Sequence, residues 1–142
     1  MSDHRPITAS VTCEAPIDEV WRAISDGEVM PRWYFAEITT FRPEVGFEAR
    51  FTVHLEHRSY EHVWRVLEAR APEHLVYTFV YEGLPGDARV RWSLEATDAG
   101  TIVTVVHDGL HTLPQDDPAF AREAGVGAWD YFLKRLRAYV EA

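Results

Sequence analysis

The chain has a single cysteine, Cys13, among its 142 residues. One thiol cannot form an internal disulfide, which excludes a disulfide-stapled fold and suits a reducing compartment. Basic residues are scarce as well: 14 Lys and Arg stand against 23 Asp and Glu, a formal charge of −9 at pH 7 with His neutral. A field of that sign repels phosphate backbones and anionic lipid, which argues against nucleic acid as a partner and against membrane adhesion. No window approaches the roughly 20 apolar residues of a membrane helix. No apolar stretch of signal-peptide length follows Met1-Ser2-Asp3-His4-Arg5-Pro6, so a cytoplasmic location is expected. The eight glycines lie singly and form no phosphate-cradling loop. No Ser or Cys sits in a nucleophile elbow, and no motif asks for a cofactor.

Aromatic residues are plentiful: seven Phe, six Tyr and five Trp make 13% of the chain. They mostly fall on alternating positions. Ile7, Ala9, Val11 and Cys13 give a first half-buried strand, and Pro16 then opens a helix carrying Ile17, Val20, Trp21 and Ile24. A second short helix is expected near Pro31, followed by Trp33-Tyr34-Phe35. Three consecutive rings cannot all face one core, so one of them is expected to face a cavity or solvent. A weaker strand is expected over Ile38 to Arg42. Strands then follow on Phe51, Val53 and Leu55; on Tyr60, His62, Trp64 and Val66; and on Leu75, Tyr77, Phe79 and Tyr81. Two more carry Val90, Trp92 and Leu94, and Val103, Val105 and His107. Short turns between them make the strands antiparallel neighbours.

From about residue 118 to 141 the period changes to that of a long helix, with Phe120, Ala124, Ala128, Trp129, Phe132, Leu133, Leu136 and Val140 on one side. Gly125 and Gly127 inside it either permit a bend or close approach to the sheet, or are simply tolerated. The expected architecture is a single α+β domain over residues 1–142. A curved antiparallel sheet of six to seven strands wraps a long C-terminal helix, with two short helices after the first strand.

One helix does not fill the concave side of a curled sheet, so a cavity is expected between them. Its candidate lining comprises Trp33, Phe51, Val53, His62, Trp64, Tyr77 and Phe79 from the first half of the fold. Tyr81, Trp92, Val105, His107, Trp129 and Phe132 complete it. Buried polar tips cost about 1–3 kcal/mol unless paired, so the Tyr hydroxyls, His62 and His107 either bond one another or the backbone, or meet water or a ligand. His62 and His107, on inward faces of different strands, could meet as an acid/base pair with Tyr77 or Tyr81. His54 and His57 read as surface residues, because positions three apart on a strand point to opposite faces. No catalytic or metal-ligating residue is assigned, and Cys13 reads as a small buried apolar side chain.

Several local strings, in order, resemble the SRPBCC (START-like, helix-grip) superfamily, and within it the activator of heat-shock ATPase homologue-like group. They are Ala15-Pro16 with Val20-Trp21, Trp33, Gly46, and Val66 to Tyr77. Gly100-Thr101, His107-Asp108-Gly109-Leu110, and Gly127-Ala128-Trp129 ahead of Leu133, Leu136 and Val140 follow. The resemblance implies a helix-grip fold with a deep cavity for lipids, sterols, polyketides or other apolar molecules, and no invariant catalytic motif. Trp33, His107 and Trp129 match recurring positions, read as fold-defining or cavity-edge residues. The expected function is binding of a small apolar or amphipathic ligand. The alternatives are a small-molecule cyclase, hydratase or hydrolase using cavity His and Tyr, and a chaperone-associated interaction module. The lack of an added N-terminal domain counts against the last. Sheet edges leave a homodimer open.

Overall fold

In the computed structural model of the protein, residues 4–142 are described; Met1, Ser2 and Asp3, part of the N-terminal segment in which no signal peptide is expected, lie outside the described residues. The alternating segments form strands: β1 Ile7–Cys13, β2 Glu48–His54, β3 Ser59–Arg70, β4 His74–Thr78, β5 Val80–Tyr81, β6 Arg89–Thr97 and β7 Gly100–Asp108. All pair antiparallel in the order β1-β7-β6-β4-β3-β2, with β5 beside β3. Helix α1 spans Ile17–Ser25 and helix α2 Arg122–Val140. This is a helix-grip fold: a curved open sheet with the C-terminal helix on its concave side.

Register keeps the inward set together. Leu75 pairs with Trp92, Trp92 with Val105, and Val90 with His107, so successive strands present their bulky residues side by side. Trp33, Trp64, Tyr77, Trp92 and Val105 are wholly buried, and Leu133 and Leu136 of α2 are buried with them. Their polar atoms are mostly satisfied inside the core. The Trp33 indole N–H donates to the Ala23 carbonyl at 2.7 Å, and that of Trp92 to the Tyr77 hydroxyl at 3.0 Å. Tyr77 and Tyr34 share a further hydroxyl–hydroxyl bond of 2.9 Å. Burial pushes both phenols above the usual tyrosine range; the pairing adds to the rise at Tyr34, whereas at Tyr77 the bonds to Trp92 and Tyr34 pull against it.

Three expectations are corrected and one is narrowed. No strand forms over Ile38 to Arg42. Ile38 and Phe41 are both buried, a spacing that suits a segment laid across a surface rather than an alternating strand. It lies across Gly27, where a Cβ would come within 2.4 Å of the Phe41 backbone nitrogen. The second short helix is one 3-10 turn, Met30–Arg32. The long helix begins at Arg122, later than expected: Asp117 caps a separate 3-10 turn, Pro118–Phe120, and Ala121 is extended at φ −67°, ψ 144°. The strand over Leu75 to Tyr81 is broken between Thr78 and Val80. There the Thr78 hydroxyl enters the ladder, accepting from Arg65 N at 2.8 Å and donating to the Val63 carbonyl at 3.1 Å. The two α2 glycines separate in role. A Cβ on Gly125 would lie 2.7 Å from Ile7 Cδ1, the movable end of a side chain that would have to shift, whereas one on Gly127 meets nothing within 4 Å.

Candidate functional site

The stripe that α2 turns toward the sheet changes size along its length. From Trp129 onward it carries Trp129, Phe132, Leu133 and Leu136; the turns before that carry Ala124, Gly125 and Ala128. Small side chains cannot reach across to the rings of the sheet, and a cavity of about 220 Å³ opens there. The sheet supplies Val53 and Leu55 from β2 and its turn, Tyr60 and His62 from β3, Phe79 and Tyr81 around the break, and His107 from β7. Phe35, Leu110, Ala119, Phe120, Trp129 and Phe132 close the wall. Leu55, Ala124 and Ala128 line it while remaining exposed, and so mark its mouth.

The sequence-derived lining divides in two. Val53, His62, Phe79, Tyr81, His107, Trp129 and Phe132 line the cavity. Trp33, Phe51, Trp64, Tyr77, Trp92 and Val105 do not; they interlock in the buried core beside it. Phe51 stacks on His62 at 4.6 Å between centroids and stands edge-on to Trp64 at 4.7 Å, forming a second layer behind the wall. Of the three consecutive rings, Trp33 and Tyr34 are buried and Phe35 is the one at the cavity. Sequence reasoning missed Phe35, Leu55, Tyr60, Leu110, Ala119, Phe120, Ala124, Gly125 and Ala128 as lining. The cluster of small residues in the first half of α2 was the readable signal.

The two wall histidines do not form a pair. Each packs against Phe79, with centroids 5.4 Å away for His62 and 4.9 Å for His107, and no hydrogen bond joins them. His107 Nδ1 instead accepts from the Trp129 indole N–H at 3.0 Å. Burial lowers the His62 pKa to about 3 and that of His107 to about 4, the latter against a small upward pull from Asp108. Both are neutral at physiological pH. Burial also raises the Tyr81 phenol above its ordinary range, helped by Tyr60 and Asp117. The Cys13 thiol lies outside the cavity, pushed up to about 11 by burial and then by Glu141.

A polar latch holds one rim. Tyr60 donates from its hydroxyl to Asp117 Oδ2 at 2.7 Å, and Arg58 reaches the same oxygen at 3.2 Å. Asp117 Oδ1 accepts from Ala119 N at 2.9 Å. His57 Nε2 lies 2.7 Å from the Tyr60 hydroxyl, while His54 Nδ1 meets Ser59 Oγ at 2.6 Å, so the two histidines have different partners. The Tyr60 bond, then the Ala119 N–H and the charges of His57 and Arg58, hold the Asp117 carboxyl below the usual carboxylate range. The latch ties the β2–β3 turn to the segment leading into α2, across the cavity residues Tyr60 and Phe120. Because this carboxylate is almost fully buried, Asp117→Ala is expected to lower unfolding free energy by about 2–3 kcal/mol, against about 1 kcal/mol for Tyr60→Phe. Urea titrations of the two variants would check this; equal losses would mean that Asp117 acts through Tyr60 alone.

Comparison with known proteins places the chain. No curated protein matches it. Among solved structures, CV1439 from Chromobacterium violaceum is 24% identical and superposes with a TM-score of 0.79, over 97% of this chain and 98% of that one. The solution structure of BH1534 from Bacillus halodurans is 24% identical with a TM-score of 0.74, over 99% and 100% of the two chains. CalU16 from Micromonospora echinospora is 27% identical with a TM-score of 0.65, over 95% of this chain and 75% of that one. Residues 14–141, from the turn after β1 to the end of α2, match the model of one family. The chain therefore belongs to the family described as Activator of Hsp90 ATPase homolog 1-like protein.

Proposed function

We propose that the protein binds a small, neutral, mainly apolar molecule in the cavity between the sheet and the first half of α2. The observation that carries this reading is the gap itself: about 220 Å³ walled by aromatic and aliphatic side chains, with a mouth at Leu55, Ala124 and Ala128. The family assignment points to a ligand-binding fold. An engineered apolar cavity of about 150 Å³ takes benzene, so a one- or two-ring molecule is the matching size. Acid–base catalysis is supported less well. A base whose conjugate acid has a pKa of about 3 or 4 drives proton abstraction poorly near neutrality, and a phenol raised above its ordinary range is a poor acid.

The test uses the full chain and 2-ethylnaphthalene, followed by titration calorimetry. Saturable binding of about one molecule per chain is expected, with a dissociation constant on the order of 10 µM, about −7 kcal/mol. Ala128→Phe places a ring in the mouth from an exposed position and is expected to weaken binding at least about tenfold, with stability changed by under about 1 kcal/mol. Absence of binding, or binding indifferent to Ala128→Phe, would overturn the proposal.

A further inference from the structure

The two nitrogens of His107 are not equivalent, and the difference has a chemical consequence. Indole Nε1 is a donor only. At 3.0 Å from His107 Nδ1, the Trp129 N–H requires a lone pair on that nitrogen. A neutral imidazole carries one proton, so with Nδ1 accepting the proton resides on Nε2. His107 is 4% exposed and lines the cavity, and its buried Nε2 has no hydrogen-bond partner among the described residues. A buried donor left unmade is costly, so an acceptor brought to it by a ligand gains more than it would in water. His62 adds a second neutral imidazole to the same wall, with Nδ1 likewise unpartnered. Among the described residues no Lys or Arg lines the cavity, and the nearby Arg58 is held by Asp117. The chain carries a net charge of −9. Nothing among the described wall residues compensates an anion.

We infer that the molecule bound here is neutral and carries a carbonyl-type acceptor oxygen, received by His107 Nε2–H, with Trp129 acting as the positioning residue that fixes the tautomer. The inference rests on the binding role proposed above and narrows it. A ligand of this class is oriented as well as buried: its oxygen is directed to the β7 side of the cavity, and its apolar body lies against Phe79, Phe132 and the small residues of α2.

Three probes of one size separate the outcomes: 2-acetylnaphthalene, 2-ethylnaphthalene and 2-naphthoate, each titrated into the full chain. The ketone, labelled with carbon-13 at its carbonyl, is expected to show a lower stretching frequency when bound than in cyclohexane. His107→Phe is expected to abolish that shift and to reduce the ketone's preference over the hydrocarbon about tenfold. His107→Gln, which can accept from Trp129 and still donate, is expected to retain both. The naphthoate is expected to bind at least about tenfold more weakly than the ketone. Imidazole nitrogen-15 spectra of the wild-type chain should place the His107 proton on Nε2, a reading that needs neither ligand nor variant. A proton on Nδ1, an unshifted carbonyl, a shift that survives His107→Phe, or tighter binding of the naphthoate would each overturn the inference. Binding of the hydrocarbon together with any of those results leaves the cavity's binding role standing. Binding of no probe removes that role and this inference together.

Discussion

Taking the protein from pH 7.5 to pH 5 is expected to lower its unfolding free energy by about 4 kcal/mol, about 2 from each wall histidine. His62 and His107 have folded pKa values of about 3 and about 4, below the 6.5 of an exposed imidazole. Between those values the unfolded chain binds protons that the folded one excludes, so stability falls as pH falls. The contribution is intact above about pH 6.5 and declines through the window between 6.5 and the folded values. The charge balance does not produce this loss: with an isoelectric point near 5.2, net repulsion is least at pH 5. The lowered Asp117 acts in the same direction but only at more acidic pH, once its carboxylate is protonated. Urea unfolding at the two pH values, followed by tryptophan emission, measures the effect. His62→Phe should remove about half of the acid-induced loss, since Phe51 already stacks on that ring and accepts a phenyl in its place. A loss under about 1 kcal/mol, or one unchanged by His62→Phe, would show that the imidazoles are not held neutral by burial.

Truncating a ring of the interlocked core should cost far more stability than truncating a ring of the wall. Trp92→Ala is expected to cost about 3–5 kcal/mol. Its side chain is wholly buried, stands edge-on to Trp33 at 5.8 Å and Trp129 at 5.7 Å, and donates to Tyr77. Removing it opens a void at the centre of the aromatic cluster and leaves the Tyr34–Tyr77 pair short of a donor. Phe132→Ala, on a half-buried ring facing the cavity, is expected to cost less than about 2 kcal/mol. The binding effects should reverse in rank. Phe132→Ala weakens 2-ethylnaphthalene severalfold, whereas the gentler Trp92→Phe leaves its affinity within about twofold. Similar stability losses for Trp92→Ala and Phe132→Ala would mean that the gap closes in solution and that both rings belong to one continuous core.

The division between core and wall is where sequence reading reached its limit. Alternation assigned Trp64, Tyr77, Phe79, Tyr81 and Trp92 to the inward face, and all five side chains do turn inward. It could not say which of them meet a partner ring and which face open space. Phe79 and Tyr81 stand opposite the stretch of α2 that holds Ala124, Gly125 and Ala128, while Trp92 meets Trp129. The same limit explains the missing strand at Ile38 to Arg42, whose apolar residues read as a weak strand although the segment packs across Gly27 instead of pairing at a sheet edge. It also explains the late start of α2. Pro118 and the preceding acids mark a helix start, yet the buried Asp117 is engaged by Tyr60 and Arg58 from a turn nearly sixty positions away.

The sequence by itself determined the α+β class, the order of nearly all the elements, the inward face of each strand and the apolar stripe of α2. These follow from periods of two and 3.6, which are local properties of the chain. Only the tertiary structure decided where the cavity lies, that His62 and His107 stay apart, and that the Trp129 indole N–H meets His107 Nδ1. Those depend on which side chains of one element meet which of another, at sequence separations that no local pattern records.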